Sequence, residues 1–565
     1  MAADRPMPTP RPAGDQPARA SAWAPLAEPA FRALWIAALA SNVGYWMQNV
    51  GAVWLMTRLS SSAVLVALVQ TATSLPVMLV GLPAGALADV VDRRRLLLVT
   101  QTWMLASAAA LALLTPAGLA TPWLVLAFTF LLGLGNAVNA PAWQAVIPEL
   151  VGPEQTSAAV ALNSVQFNIG RALGPALGGL LVAVAGPEAV FALNALSFLG
   201  VIFVLWRWRR PEQDVIGGGE RVLGAIGSGL RYLRHAPPLR AVLYRTSLFI
   251  LPASALWALL PLVATRELGL GATGYGVLLG GLGAGSIGGA AILPKVRSRF
   301  PIDLRLVAGT LLLAGALLVL ALVRSVPPVF AAMLAAGLAW VSVLTSFNVA
   351  TRAAVPRWVQ ARALAVYLLV FQGGLALGSL VWGLAAARLG DTGALLLAVA
   401  ALLAGLVGTL RWRLQAIGTF DLSPSVRPEP EVAVEPEPDD GPVLVLVEYR
   451  IAPSRAEEFA VAMRALRRVR RRDGAYRWGF WADVVDPSRY VETFVVRSWA
   501  EHLRQHERFT VEDLLVRDRV QSFHVGEEPP AVSHLVHPDA AIGRQRHWVR
   551  WTRPGTRGRS ASERA

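Results

Sequence analysis

The sequence contains no cysteine among its 565 residues. Disulfide bridges, thiolate metal sites and cysteine nucleophiles are therefore excluded, although the absence does not identify a compartment. Charge is also scarce: charged residues make up 16% of the chain, against roughly 25% in an ordinary soluble protein. Between Phe31 and Ala88 there is no acidic residue, and the only bases are Arg32 and Arg58. No Gly-x-x-x-x-Gly-Lys-Ser/Thr loop occurs, so the usual phosphate cradle for ATP-driven work is missing.

What is abundant is apolar surface. Hydrophobic residues account for 55% of the chain, and the mean hydropathy is +0.49. Charge-free stretches such as Leu96–Thr121 exceed the roughly 20 residues that a helix needs to cross a bilayer core. The expected class is an all-α polytopic membrane protein with twelve transmembrane helices in two six-helix halves, followed by a small α+β ferredoxin-like domain. Apolar segments are expected near 31–57, 62–88, 96–116, 122–147, 156–185, 187–206, 241–265, 272–294, 303–324, 327–351, 359–387 and 392–413.

The expected organisation begins with a disordered tail (1–30) that shows no cleavable signal pattern. Six helices (31–206), a basic central loop (207–240) and six more helices (241–413) follow. A Pro/Glu linker (421–442), a soluble domain (443–530) and a basic disordered tail (540–565) complete the chain. The net charge of +15 does not point to nucleic acid, because the bases fall in loops between apolar runs and in the tails. One set of loops holds Arg93–Arg95, Arg207, Arg231, Lys295, Arg297, Arg299, Arg352 and Arg413; the opposite set holds only Arg58, Arg266, Arg324 and Arg388. The rich side is expected to be cytoplasmic, which places both termini inside a multi-pass cytoplasmic-membrane protein.

Two motifs carry a family resemblance. "GALADVVDRRR" after the second segment resembles the loop between helices 2 and 3 of the major facilitator superfamily, Gly-x-Leu-Ala-Asp-Arg-x-Gly-Arg-Arg/Lys. Gly85, Leu87, Ala88, Asp89, Arg93 and Arg94 match it, whereas Val90 and Asp92 depart from it. "GRALGPALGG" resembles the exporter motif Gly-x-x-x-Gly-Pro-x-x-Gly-Gly, with Gly170, Gly174, Pro175, Gly178 and Gly179 in place. The resemblance is to the drug-exporter branch that includes enterobactin exporters. It implies alternating access, proton antiport, a gating role for Gly85, Asp89, Arg93 and Arg94, and no cofactor. With Val90 in place of Arg, either Arg93 or Arg94 takes over one ion-pair contact of that gate, or the gate closes less firmly.

Every acid between residues 31 and 412 falls near a segment end or in a loop, so no mid-span carboxylate is available for coupling. Glu149 is the nearest coupling candidate. Arg171 lies inside the fifth segment, where a cation costs roughly 2.5–3.5 kcal/mol on insertion scales and should face protein or water. Asn42, Gln48, Asn49, Asn136, Asn139, Asn163, Gln166, Asn348 and Gln372 are the polar candidates along a substrate path, though many such amides merely join helices. A cavity with amides and arginine but no acid suits a neutral or anionic amphiphile, such as a siderophore or polyketide-like metabolite. "GLGAGSIGG" formally matches a dinucleotide fingerprint, but it lies in an apolar segment where Gly281, Gly285 and Gly289 are expected to pack helices.

In the soluble domain, "VLVLVEYRI", "AYRWGFWADVV" and "RYVETFVVRSW" read as strands, with helices between and after them. "RSWAEHLRQHERFTVED" resembles dimeric α+β barrel proteins of the antibiotic-biosynthesis monooxygenase type. The resemblance implies a binding, sensing or homodimerisation module or, as the alternative, a cofactor-independent oxygenase acting on the substrate before export, and draws attention to Trp499 and His506. His502 and His506 share a helix face, yet no acid or histidine is spaced to complete a metal site. The expected partners are a small-molecule substrate, protons and membrane lipids.

Overall fold

A computed structural model describes residues 22–208, 231–409, 412–414, 421–425, 432 and 436–537; the side chains of Ala86, Asp89 and Val90 lie outside the described set. Most of the expected tails, central loop and linker also lie outside it.

Backbone groups in an apolar run have no water to bond, so the run must satisfy them internally as helix. Helices α1 (Pro29–Leu59), α2 (Ala63–Val90), α3 (Arg93–Leu114) and α4 (Pro122–Leu150) follow one another through short turns. Polar side chains start three of them: Ser62 accepts from Leu65 N, Asp92 from Arg95 N and Thr121 from Leu124 N. α5 runs Thr156–Arg207 and bends at Gly186, whose φ of 81° is open to glycine and strained for other residues. Next come α6 (Pro237–Ala253), α7 (Ala255–Leu262), α8 (Ala272–Arg299), α9 (Ile302–Leu322), α10 (Val326–Ala353) and α11 (Gln360–Thr409). α11 bends in the same way at Gly390, with φ 75°. Among the described residues, 9 helical stretches are long and apolar enough to cross a membrane.

Glycines decide where these helices meet. A Cβ on Gly170, Gly174 or Gly178 would sit 2.9, 2.5 or 2.9 Å from Asn42, Trp46 or Met47 of α1. On the neighbouring face, a Cβ on Gly179 would lie 2.8 Å from Gly276 Cα of α8. The exporter-like motif is thus a seam between α1, α5 and α8, where only hydrogen fits. Gly281, Gly285 and Gly289 meet Phe330, Leu334 and Leu338 of α10, so that stripe packs helices as its spacing suggests.

The chain divides into two compact units, the first comprising the described residues of Met1–Gly218, Ala241–Ala350 and Leu364–Gln415. The second gathers the described residues of Gly219–Arg240, Thr351–Ala363 and Ala416–Ala565. Its centre is a four-stranded antiparallel sheet of β1 (Val443–Arg450), β2 (Arg477–Ala482), β3 (Arg489–Val496) and β4 (Ala531–Val536), in the order β2-β3-β1-β4. Val443 pairs with Val496 on one side and Val536 on the other. Alternate β1 residues Val443, Val445, Val447 and Tyr449 are buried with Phe459, Met463 and Leu466 of α12 (Ala456–Asp473). α13 (Trp499–Arg508) and α14 (Val511–Gln521) follow β3. β4 lies beyond residue 530, where the sequence pattern ended the domain: it is a short edge strand, mostly exposed, that follows two prolines.

Short segments from elsewhere in the chain join this second unit through charged and aromatic contacts. Tyr232 meets Trp358 edge-on at 5.7 Å, and the Arg508 guanidinium lies 4.6 Å from the Trp358 ring. Arg231 pairs with Glu501 at 3.3 Å.

Candidate functional site

In the first unit, α1, α2, α4, α5, α7, α8, α10 and α11 enclose a cavity of about 350 Å³. Aromatic rings make its walls. Trp46 stands edge-on to Phe167 at 6.2 Å, and Trp340 touches Trp257 at 5.5 Å and Phe371 at 6.2 Å. Polar groups interrupt them: Asn49, Gln70, Thr73, Asn136, Arg171 and Gln372. No carboxylate lines the cavity among the described residues.

Its hydrogen-bonding character is lopsided. Arg171 Nε and Nη2 and the indole nitrogens of Trp46 and Trp257 are buried and find no partner among the described residues. All are donors, and buried donors are normally satisfied, so this set is complemented by acceptors, whether water or an acceptor-bearing guest. Gln70 bonds Ser74 at 2.9 Å, and Asn49 spends its amide on Tyr45 O at 3.0 Å.

Of the polar residues singled out in the sequence, Asn49, Asn136, Arg171 and Gln372 line this cavity. The others lie elsewhere. Gln48 accepts from Asn194 at 3.2 Å, joining α1 to the second arm of α5. Asn139 accepts from Thr100 at 3.0 Å and Gln101 at 3.2 Å, and Asn163 from Trp143 at 3.1 Å. Asn42 packs against Gly170, Gln166 is buried in α5, and Asn348 is half-buried on α10. The aromatic walls escaped the sequence reading because tryptophan and phenylalanine blend into any apolar run.

Ion pairs cluster at two ends of the helices. Arg93 donates to Glu149 at 2.5 Å, and Glu149 is almost fully buried. Arg94 caps the end of α5 by donating to Leu205 O at 2.8 Å and Trp206 O at 2.6 Å. Gly85 has open space around it, and the Asp89 side chain is outside the described set. Midway along α6, the buried Arg245 pairs with Asp303 at the start of α9, and Asp303 also accepts from Leu414 N at 3.1 Å. At the other end Arg266 pairs with Asp391 at 3.3 Å and donates to Ser61 O, while Arg324 pairs with Glu267 at 2.8 Å.

In the second unit, the His502 ring lies 5.3 Å from Trp499, 5.0 Å from His506 and 4.8 Å from His534. Burial, followed by the neighbouring imidazoles, pushes His502 down to about 3. No group of acids and histidines among the described residues could hold a metal ion. The cleft beside His502, Arg470 and Asp473 measures about 20 Å³, room for one water rather than an aromatic substrate.

A bundle of helices long and apolar enough to cross a membrane thus encloses a donor-rich aromatic cavity, the architecture that the major-facilitator resemblance of its motifs implies. The family described as transmembrane secretion effector matches residues 20–542, and the chain belongs to it. The staphyloferrin A transporter of Staphylococcus aureus is 32% identical over 29% of this chain and 42% of its own length. The multidrug efflux pump Tap of Mycolicibacterium fortuitum is 27% identical over 58% of this chain and 82% of its own. Macrolide efflux protein A of Streptococcus pyogenes is 23% identical over 41% of this chain and 58% of its own. The chain thus spans less than half the length of the first of these relatives and most of the second. In fold, the nucleoside transporter NupG aligns with a TM-score of 0.58 at 11% identity, covering 68% of this chain and 99% of its own. A bacterial Spinster homologue in an inward-facing, unoccupied conformation aligns at 0.52 and 16% identity, covering 69% and 94%. These relatives and fold neighbours are transporters, not enzymes.

Proposed function

We propose that this protein is a secondary active exporter that moves a neutral or anionic, acceptor-rich amphiphile out across the cytoplasmic membrane. The observation that carries this reading is the cavity itself: four buried donor nitrogens without a described partner, aromatic walls and no carboxylate. A cationic drug would meet Arg171 as a like charge, whereas a carboxylate or polyketide-like carbonyl would satisfy it. The efflux and siderophore relatives support the direction and the class.

The transport cycle is alternating access between two six-helix halves, with α5 and α11 each read as two spans at Gly186 and Gly390 and α6 with α7 read as one, to make twelve. The arginine-rich ends face the cytoplasm, as do both termini. There the gating loop with Gly85, Asp89, Arg93 and Arg94 works through the Arg93–Glu149 pair and the Arg94 cap on α5. Protons are the coupling ion, with Glu149 as the carboxylate nearest the required position. The Arg266–Ser61 contact joins the two halves at the opposite end and acts as the outer brace.

The C-terminal domain is read as a ferredoxin-like binding or dimerisation module rather than an oxygenase, a view supported by the closed cleft at His502. The full chain in proteoliposomes tests the whole proposal. Under an inward proton gradient it extrudes an anionic amphiphilic dye, and an ionophore abolishes the flux. Tight efflux of ethidium that is unaffected by Arg171→Ala would sink it.

A further inference from the structure

A second cavity, of about 380 Å³, lies between α8, α9 and α10 and shares no lining residue with the central one. Its walls are apolar: Ile292, Leu293, Phe300, Leu304, Leu312 and Leu338. Gly289 and Gly309 form its floor, where a Cβ would lie 2.7 Å from Val341 and 2.5 Å from Val343. Ile292, Phe300 and Leu304 are about half exposed, so the groove opens toward the bilayer side of the bundle.

One rim is cationic. Arg305 lines the groove, and its Nε is buried with no partner among the described residues. Arg297, at the end of α8, is close enough for its charge to bear on Arg305. Lys295 and Arg299 flank it in sequence, and none of these four cations makes an ion pair among the described residues. The local acid, Asp303, is held by Arg245 and the Leu414 amide.

We infer that this groove binds an acidic phospholipid, its phosphate on Arg305 and Arg297 and an acyl chain along the leucine-lined wall. An apolar trough ending in arginines with no acidic partner among the described residues matches an anionic lipid of the leaflet beside the arginine-rich helix ends. The apolar volume is far larger than free phosphate needs, and a zwitterionic lipid leaves the rim charge uncompensated.

Native mass spectrometry of the full chain in detergent tests this, with phosphatidylglycerol, phosphatidylcholine or glycerol phosphate titrated separately. Phosphatidylglycerol should be retained in preference to phosphatidylcholine. Arg305→Gln should weaken its retention about fivefold, the contribution of one basic residue near a charged headgroup. Arg305→Lys should keep most of the preference, and Ala308→Phe, which fills the trough from an exposed position, should lose both lipids. If Arg305→Gln does not fold, the Arg297→Gln/Arg299→Gln variant should show the same selective loss. Equal retention of the two lipids, an unchanged preference in the glutamine variants, or displacement by glycerol phosphate at equal concentration would overturn the inference.

Discussion

Replacing Arg171 by methionine separates a substrate-binding residue from a structural one. Methionine keeps most of the length and apolar contact of the arginine stem but removes the charge and the two unpartnered donors. A lone cation inside a membrane protein costs about 2.5–3.5 kcal/mol on insertion scales, and no carboxylate among the cavity residues repays it. The empty protein is therefore expected to melt at the same temperature as wild type or higher. Substrate binding moves the other way. A hydrogen bond to a charged group contributes about 1.5–3 kcal/mol, so an anionic substrate should bind roughly 10- to 150-fold more weakly. A neutral analogue of the same size should change by less than about threefold, a few tenths of a kcal/mol. Trp46, Trp257 and Trp340 line the same cavity, so quenching of tryptophan fluorescence reports binding directly, alongside efflux from vesicles. Arg171→Lys retains the charge without the planar fork and should fall between the two. Equal loss of anionic and neutral binding together with a lowered melting point would show Arg171 to be a packing residue, and the reasoning would fail.

Gly174→Leu forces side-chain atoms into the 2.5 Å gap to Trp46 and should cost at least the 1–3 kcal/mol typical of overpacking, seen as a lowered melting temperature; Gly85→Ala, with open space around it, should leave that temperature unchanged. Arg93→Gln removes one partner of the buried Glu149 carboxylate, so it should lower the melting temperature more than Glu149→Gln, with partial rescue of that temperature in the double variant; additive losses would argue against the pair. The folded His502 is held near 3, so its stabilisation is complete above about pH 6.5 and declines as pH falls toward 3. Asp473, pushed up to about 6 by burial, works in the opposite sense and loses stability as pH rises from about 4 to 6. His502→Leu removes only the first effect, about 2 kcal/mol between pH 7 and pH 5, and hydrogen exchange over residues 443–537 of the full chain should then vary less with acid; an unchanged profile would count against it.

Class and motif positions were legible in the sequence because the bilayer imposes a one-dimensional rule: apolar runs of spanning length must be helices, whatever they pack against. The same holds for Gly170, Gly174 and Gly178, whose i, i+4 spacing places them on one face wherever that helix goes. The glycine stripe at Gly281, Gly285 and Gly289 could be read as packing for the same reason, although its partner, α10, could not be named. Arg171 stood out because a charge inside an apolar run needs an explanation, yet only the assembled bundle brought Trp46 and Trp257 beside it. Aromatic residues carry no signal against an apolar background, and amides look alike until their partners are known. Gln48, Asn139 and Asn163 thus became joints between helices, while Asn49, Asn136 and Gln372 reached the cavity. Glu149 finding Arg93, across 56 positions of sequence, was likewise decided by helix packing. Secondary structure in a membrane is a local consequence of solvent; which charges and donors share a space depends on contacts between distant segments, and those exist only in the folded chain.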